Sequence, residues 1–268
     1  MKKWIRRIII VILLLVFLFS LFSVGKILYQ YREIEKTYDD LAQQVVQATS
    51  EAEPADPDPA EPGEVAPIEV DFAALQAINP DITAWIYCED TFINYPVLHG
   101  ETNDMYLRHL YDHSYLISGS IFVEAANRRN FQDANTIIYG HHMKNETMFG
   151  ALSRWEEQDF YEAHQVFWIL TPDQDYKVEV LGGYRTSSYS DTYTIFSEPG
   201  AELDAYLEKM LEQSLFTSHA KPEEGARYVL LTTCDYAFTN ARFVLHGKLV
   251  PVDSAGGVRK EIKGDQES

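Results

Sequence analysis

The chain is short of cysteine and of basic residues, and each shortage removes a class of protein. Two cysteines, Cys88 and Cys234, stand among 268 residues. That number cannot build a disulfide-dense scaffold, and no Cys-x-x-Cys pair or His-rich spacing points to structural zinc. Lys and Arg total 22 against 41 Asp and Glu, a formal net charge of −19. Such a surface repels nucleic acid and anionic headgroups, and its plain meaning is solubility. No internal repeat is present.

Acidic residues are absent before Glu33, and this stretch carries the long apolar run. Lys2, Lys3, Arg6 and Arg7 precede Ile8 to Gly25, eighteen residues without a charge. As a helix rising about 1.5 Å per residue it spans roughly 27 Å, close to the thickness of a hydrocarbon core. The basic residues predict a cytoplasmic amino terminus with the rest of the chain outside. A cleaved signal peptide competes, because Ser20 and Ser23 are small. No clear A-x-A site follows, however, and the run exceeds a usual signal-peptide core, so an uncleaved anchor is expected over 1–25.

Behind it, Ile27, Tyr31, Ile34, Tyr38, Leu41 and Val45 recur at helical spacing, which predicts an amphipathic helix over Lys26–Ala48. Glu51–Pro67, rich in Glu, Asp, Ala and Pro, lacks the apolar content to fold and reads as an extended acidic tether. The expected division is anchor 1–25, helix and tether 26–69, folded domain 70–252 and polar tail 253–268.

The domain is expected to be mainly β. A short helix over Asp71–Ile78 leads into candidate strands at Ala84–Cys88, Phe92–Leu98, Gly119–Val123 and Thr136–Tyr139. Four more follow at Val166–Thr171, Tyr176–Thr186, Arg227–Thr233 and Ala241–Val250. Eight short strands separated by turns suggest a barrel or a sandwich. Helical patterns occupy Met148–Ala163 and the segment between strands six and seven. There Leu203, Tyr206, Leu207, Met210 and Leu211 form one stripe, with Ser197 as the expected amino-terminal cap.

The last apolar stretch carries the chemistry. In Tyr228-Val-Leu-Leu-Thr-Thr-Cys234 and Ala241-Arg242-Phe-Val-Leu-His246, a cysteine ends one strand and an arginine opens the next. If the strands are neighbours, thiol and guanidinium emerge at one sheet edge, and a cation beside a thiol favours the nucleophilic thiolate. A base stands upstream in Asn135-Thr-Ile-Ile-Tyr-Gly-His141-His142. Periodicity does not choose between the two histidines. His246 shares the strand face of Arg242 and reads as structural. A buried, inert cysteine is the competing reading of Cys234, and a bridge to Cys88 would consume its thiol.

These features resemble a sortase, a family of cysteine transpeptidases that attach proteins to the Gram-positive cell wall. The similarity runs from about Ile78 to Val250. Asn79-Pro80-Asp-Ile-Thr-Ala-Trp85, Ile93-Asn-Tyr-Pro96-Val, Gly119-Ser-Ile-Phe-Val and Met148-Phe149-Gly-Ala-Leu resemble class B members in order. The resemblance implies an eight-stranded sortase-type β-barrel with added helices before it and between strands six and seven. It makes Cys234 the nucleophile, His141 the acid and base, and Arg242 the group holding the substrate backbone or oxyanion. It also implies that Asn94, Leu98, Tyr193, Ile195, Thr232 and Asp235 line the peptide groove. Asp235 taken alone reads as a turn residue.

The implied partners are surface proteins with an Asn-Pro-x-Thr-like sorting signal and a peptidoglycan-precursor amine. No cofactor or metal is required, and the place of work is the cell membrane, through residues 8–25. Alternatives are a pilus-polymerising sortase, a secreted cysteine peptidase in which water completes the reaction, and a membrane-tethered binding module.

Overall fold

The structure, a computed structural model, describes residues 3–49, 65–235 and 237–253. Most of the expected tether and all of the tail from 254 lie outside the described residues. The chain divides into two compact units, Met1–Leu41 and Ala42–Ser268.

The first unit is helical, the greater part of α1, Lys3–Val45. The uncharged run and the amphipathic stretch are one helix, long and apolar enough by length and composition to cross a membrane. Its polar side chains bond back to the preceding turn: Ser23 Oγ donates to Phe19 O at 2.9 Å and Thr37 Oγ1 to Glu33 O at 2.7 Å. That removes the cost of carrying hydroxyls in a helix.

The second unit opens differently from the expectation. The helix stops at Val45, and β1 (Val46–Ala48) pairs antiparallel with β2 (Ile68–Val70). Helical periodicity is overridden because those residues have a strand partner. α2 (Phe72–Ile78) follows, with the Asp71 carboxylate accepting from Ala74 N at 2.9 Å as its cap.

Eight strands then close a barrel. They are β3 (Ile82–Tyr87), β4 (Asn94–Leu98), β5 (Ile121–Val123), β6 (Asn135–Tyr139), β7 (Val166–Leu170), β8 (Asp175–Ser187), β9 (Arg227–Cys234) and β10 (Ala241–Val252). The order around the barrel is β10-β8-β7-β3-β4-β5-β6-β9, with β9 beside β10. The β4–β5 and β6–β9 pairs are parallel and the others antiparallel. Closure leaves no barrel edge unpaired.

Met148–Ala163 contains a 3-10 segment at Gly150–Glu156 and α3 (Gln158–Ala163). Between β8 and β9 lies α4 (Ala201–Leu211). Its Leu203, Tyr206, Leu207 and Met210 pack on Ile137 of β6, Leu230 of β9, Val244 of β10 and Tyr184 of β8. One outer face of the sheet is thereby covered, at about 1.5–3 kcal/mol for each large apolar side chain buried. Ser197 does not cap this helix: Gly200 holds the cap position, with no side-chain bond. Ser197 is engaged elsewhere, its carbonyl accepting from Arg128 Nη2 and from Ala134 N.

Candidate active site

Two strand pairings bring distant parts of the chain level. In the β9–β10 pair, Cys234 stands opposite Arg242. In the parallel β6–β9 pair, Tyr139 stands opposite Thr232, and Gly140 N extends the ladder by donating to Thr232 O at 3.1 Å. His141 lies two residues beyond Tyr139, just past the end of β6, as Cys234 lies two residues beyond Thr232 at the end of β9. Histidine, cysteine and arginine therefore emerge at the same end of three adjacent strands, β6, β9 and β10, with Cys234 and Arg242 directly paired. All three are half-buried. Strand alternation puts Cys234 and Arg242 on the face that carries Thr232, Leu230 and Val244, the face that α4 covers further down.

The next row is continuous. Leu98 pairs with Phe122, Phe122 with Tyr139, Tyr139 with Thr232, and Thr232 with Val244. Phe122 and Tyr139 stack at 5.4 Å between ring centroids. Tyr193 lies parallel to Tyr139, with centroids 6.4 Å apart and 9° between planes, and shares a 3.0 Å hydrogen bond with Thr232 Oγ1. The Tyr139 hydroxyl donates to Glu124 at 2.9 Å. Burial pushes both phenols above their usual range, so each works as a neutral hydrogen-bonding group.

The remaining expected groove residues divide. Leu98 is fully buried in this second row. Asn94, at the start of β4, accepts from Trp85 Nε1 at 2.7 Å. Ile195 is half-buried against the α4 cluster. The Asp235 carboxylate accepts from Arg185 Nε at 3.3 Å and from Ala237 N at 2.8 Å, and its side chain is 8% exposed. It is tied into an ion pair at the strand end rather than open to solvent.

The His141 ring is also held. Its Nε2 lies 2.7 Å from Leu107 O, while its own carbonyl accepts from Phe149 N at 3.1 Å. Arg242 Nη1 donates to Ala241 O at 3.0 Å. His142, next along the chain, forms an isolated antiparallel bridge with Met148. His246, buried on the same face as Arg242, shares a 3.1 Å hydrogen bond with the Tyr184 hydroxyl, and burial pushes it down to about 3.

Both cysteines are free thiols. Cys88 is buried just past β3, and burial pushes its thiol up to about 12, which keeps it protonated and inert. Among the described residues, no group of three or more His, Cys, Asp or Glu is placed to hold a metal ion. Sequence reasoning missed Tyr139, for which an aromatic before a glycine was the available signal. It also missed Leu107, which acts through a backbone carbonyl and offers none.

A sequence model of the sortase domain matches residues 86–250. The chain belongs to the sortase family. Sortase B of Listeria monocytogenes is 35% identical over 253 residues, covering 93% of this chain and 98% of that protein. The Staphylococcus aureus sortase B–substrate complex superposes with a TM-score of 0.64 at 32% identity, covering 68% of this chain and 85% of that one. A sortase B complexed with triglycine gives 0.63 at 31% identity, covering 68% and 86%. This sortase is thus of class B, a cysteine transpeptidase fold with its eight-stranded barrel intact. Cys234, Arg242 and His141 lie at one end of three adjacent strands of that barrel.

Proposed function

We propose that the chain is a membrane-anchored class B transpeptidase that cleaves a sorting signal after threonine and joins the carried protein to a cell-wall amine. What carries the reading is that Cys234 pairs with Arg242 on β9 and β10, while His141 follows β6, the parallel neighbour of β9, at the same end. In the proposed reaction the Cys234 thiolate attacks the threonine carbonyl, and Arg242 donates hydrogen bonds to the oxyanion. The C–N bond breaks as His141 protonates the departing amine, leaving a thioester. An incoming amine then attacks the thioester carbonyl, gives a proton to His141 and expels the thiolate, so every proton taken is returned.

Leu98, Tyr193 and Thr232 in the adjoining row, with Asn94, Ile195 and Asp235 around it, form the proposed peptide groove. A substrate complex and a triglycine complex of related sortases support a peptide donor and an amine acceptor. The apolar part of α1, preceded by Arg6 and Arg7, supports a single-pass anchor with the barrel outside the cell.

The test uses the full chain, a panel of x-Pro-x-Thr-x peptides and an added amine, read by intact mass. A thioester on Cys234, lost in Cys234→Ala, and a product joined to the amine are expected. Arg242→Lys should lower kcat on the order of 100-fold, because an ammonium cannot reproduce the planar donor pair. Release of acid alone would favour a peptidase. No adduct with any peptide, together with a thiol inert to alkylation, sinks the enzyme reading.

A further inference from the structure

Two sequence motifs that the chemistry leaves unused, Asn79-Pro80-Asp81 and Gly119-Ser120, converge on one peptide of the β4–β5 connection. Tyr106 is fully buried there, and its hydroxyl donates to Asp81 Oδ2 at 2.8 Å. Asn79 Nδ2 donates to that hydroxyl at 2.9 Å and to Tyr111 O at 2.7 Å. From the other side, Ser120 N donates to Tyr106 O at 3.0 Å, and Ser120 Oγ to His109 O at 3.0 Å.

Gly119 lies in the left-handed region at φ +51°, and a Cβ there would sit 2.4 Å from Leu107 O and 2.5 Å from Tyr106 O. Those contacts are with backbone, which cannot swing aside as a side chain can. Glycine is what lets the chain close on this carbonyl pair. The next carbonyl after Tyr106 is that of Leu107, 2.7 Å from His141 Nε2.

A carbonyl oxygen only accepts hydrogen bonds. The ring nitrogen facing Leu107 must therefore carry hydrogen, which leaves Nδ1 as the nitrogen with a lone pair when the ring is neutral. We propose that the β4–β5 connection fixes His141 as the Nε2–H tautomer through the Leu107 carbonyl, with Gly119 and Tyr106 as positioning residues. Nδ1 is then the atom that exchanges protons with the thiol and the amines. Because the Nε2–H bond to Leu107 is the same in the neutral and the cationic ring, His141 takes up and releases its proton without turning. The proposal deepens the transpeptidase reading and rests on it for its consequence in catalysis.

The deciding measurement is the nitrogen spectrum of the full chain, labelled with 15N-histidine in detergent micelles at a pH where the ring is neutral. His141 is assigned by its loss in His141→Gln. Wild type should give a protonated Nε2 and a bare Nδ1. Gly119→Ala should show a mixture of tautomers and a kcat at least about tenfold lower with KM within about twofold, since it is acid–base positioning that fails. Tyr106→Phe, which keeps the ring and deletes only the hydroxyl, should move both readouts in the same direction by less.

Gly225→Ala supplies the control. That glycine is also left-handed, at φ +76°, but a Cβ there meets nothing within 4 Å. It should carry the backbone strain and leave the tautomer and kcat unchanged. A wild-type ring protonated on Nδ1 overturns the proposal, as does a folded Gly119→Ala with wild-type turnover. The spectrum needs no substrate, so failure to turn over any peptide would defeat the transpeptidase reading while leaving the tautomer decided by the spectrum.

Discussion

At the scale of single residues, His141 and His246 belong to one sheet region and differ in their surroundings. His141 is half-exposed beyond the end of β6, while His246 is buried on β10 between the rings of Tyr184 and Tyr206. Burial takes His246 from its usual 6.5 down to about 3. The unfolded chain therefore binds a proton between those values that the folded chain refuses. Stability from this residue is complete above about pH 6.5 and is lost as pH falls toward 3, by up to about 1.4 kcal/mol per unit. His246→Gln keeps a donor and acceptor for the Tyr184 hydroxyl and removes the titration. Urea midpoints at pH 7 and pH 4.5 should fall further apart in wild type than in the variant. Equal acid sensitivity in both would assign the loss to carboxylates elsewhere.

At the scale of elements, α4 links the stripe visible in the sequence to the sheet that holds the site. Leu207 is about 1% exposed, and Tyr206 donates from its hydroxyl to Thr192 O at 2.6 Å. Leu207→Ala should cost about 2–4 kcal/mol, read as a lower urea midpoint with an unchanged slope. A cost below about 0.5 kcal/mol, the range of an ordinary surface change, would mean that the helix is not held by this stripe. The same element marks what sequence could tell. The stripe was legible because 3.6-residue spacing needs no knowledge of a partner, and the strands because turns bound each apolar run. The cap was not legible, since the Ser197 carbonyl is claimed by Arg128 and Ala134 from a different part of the chain. Likewise, Cys234 and Arg242 were readable as one hairpin. The arrival of His141 at the same end depends on a parallel β6–β9 pairing across a long separation, which only the family resemblance suggested. The Leu107 carbonyl left no trace, because any residue supplies one.

At the scale of the whole molecule, the question is where the second unit begins. The sequence suggested Val70, yet β1 pairs with β2 ahead of that point and Asp71 N donates to Val45 O at 2.8 Å. Thr49 Oγ1 donates to Ala66 O at 2.7 Å, and Val45, Ala66 and Ile68 are buried. A fragment starting at Ala42 keeps all of these contacts, and one starting at Val70 loses them. The loss amounts to burial of two large apolar side chains and several hydrogen bonds, about 2–4 kcal/mol net of the entropy released. For a domain of this size that lowers Tm by about 5–15 °C. Both fragments retain every strand of the barrel, so both should still form the proposed Cys234 thioester at a temperature where each is folded. Coincident melting curves would show that β1 and β2 only lean on the barrel. A Val70 fragment that is folded but makes no thioester would instead tie the amino-terminal strands to the active site, across a barrel whose register gives them no direct part in it.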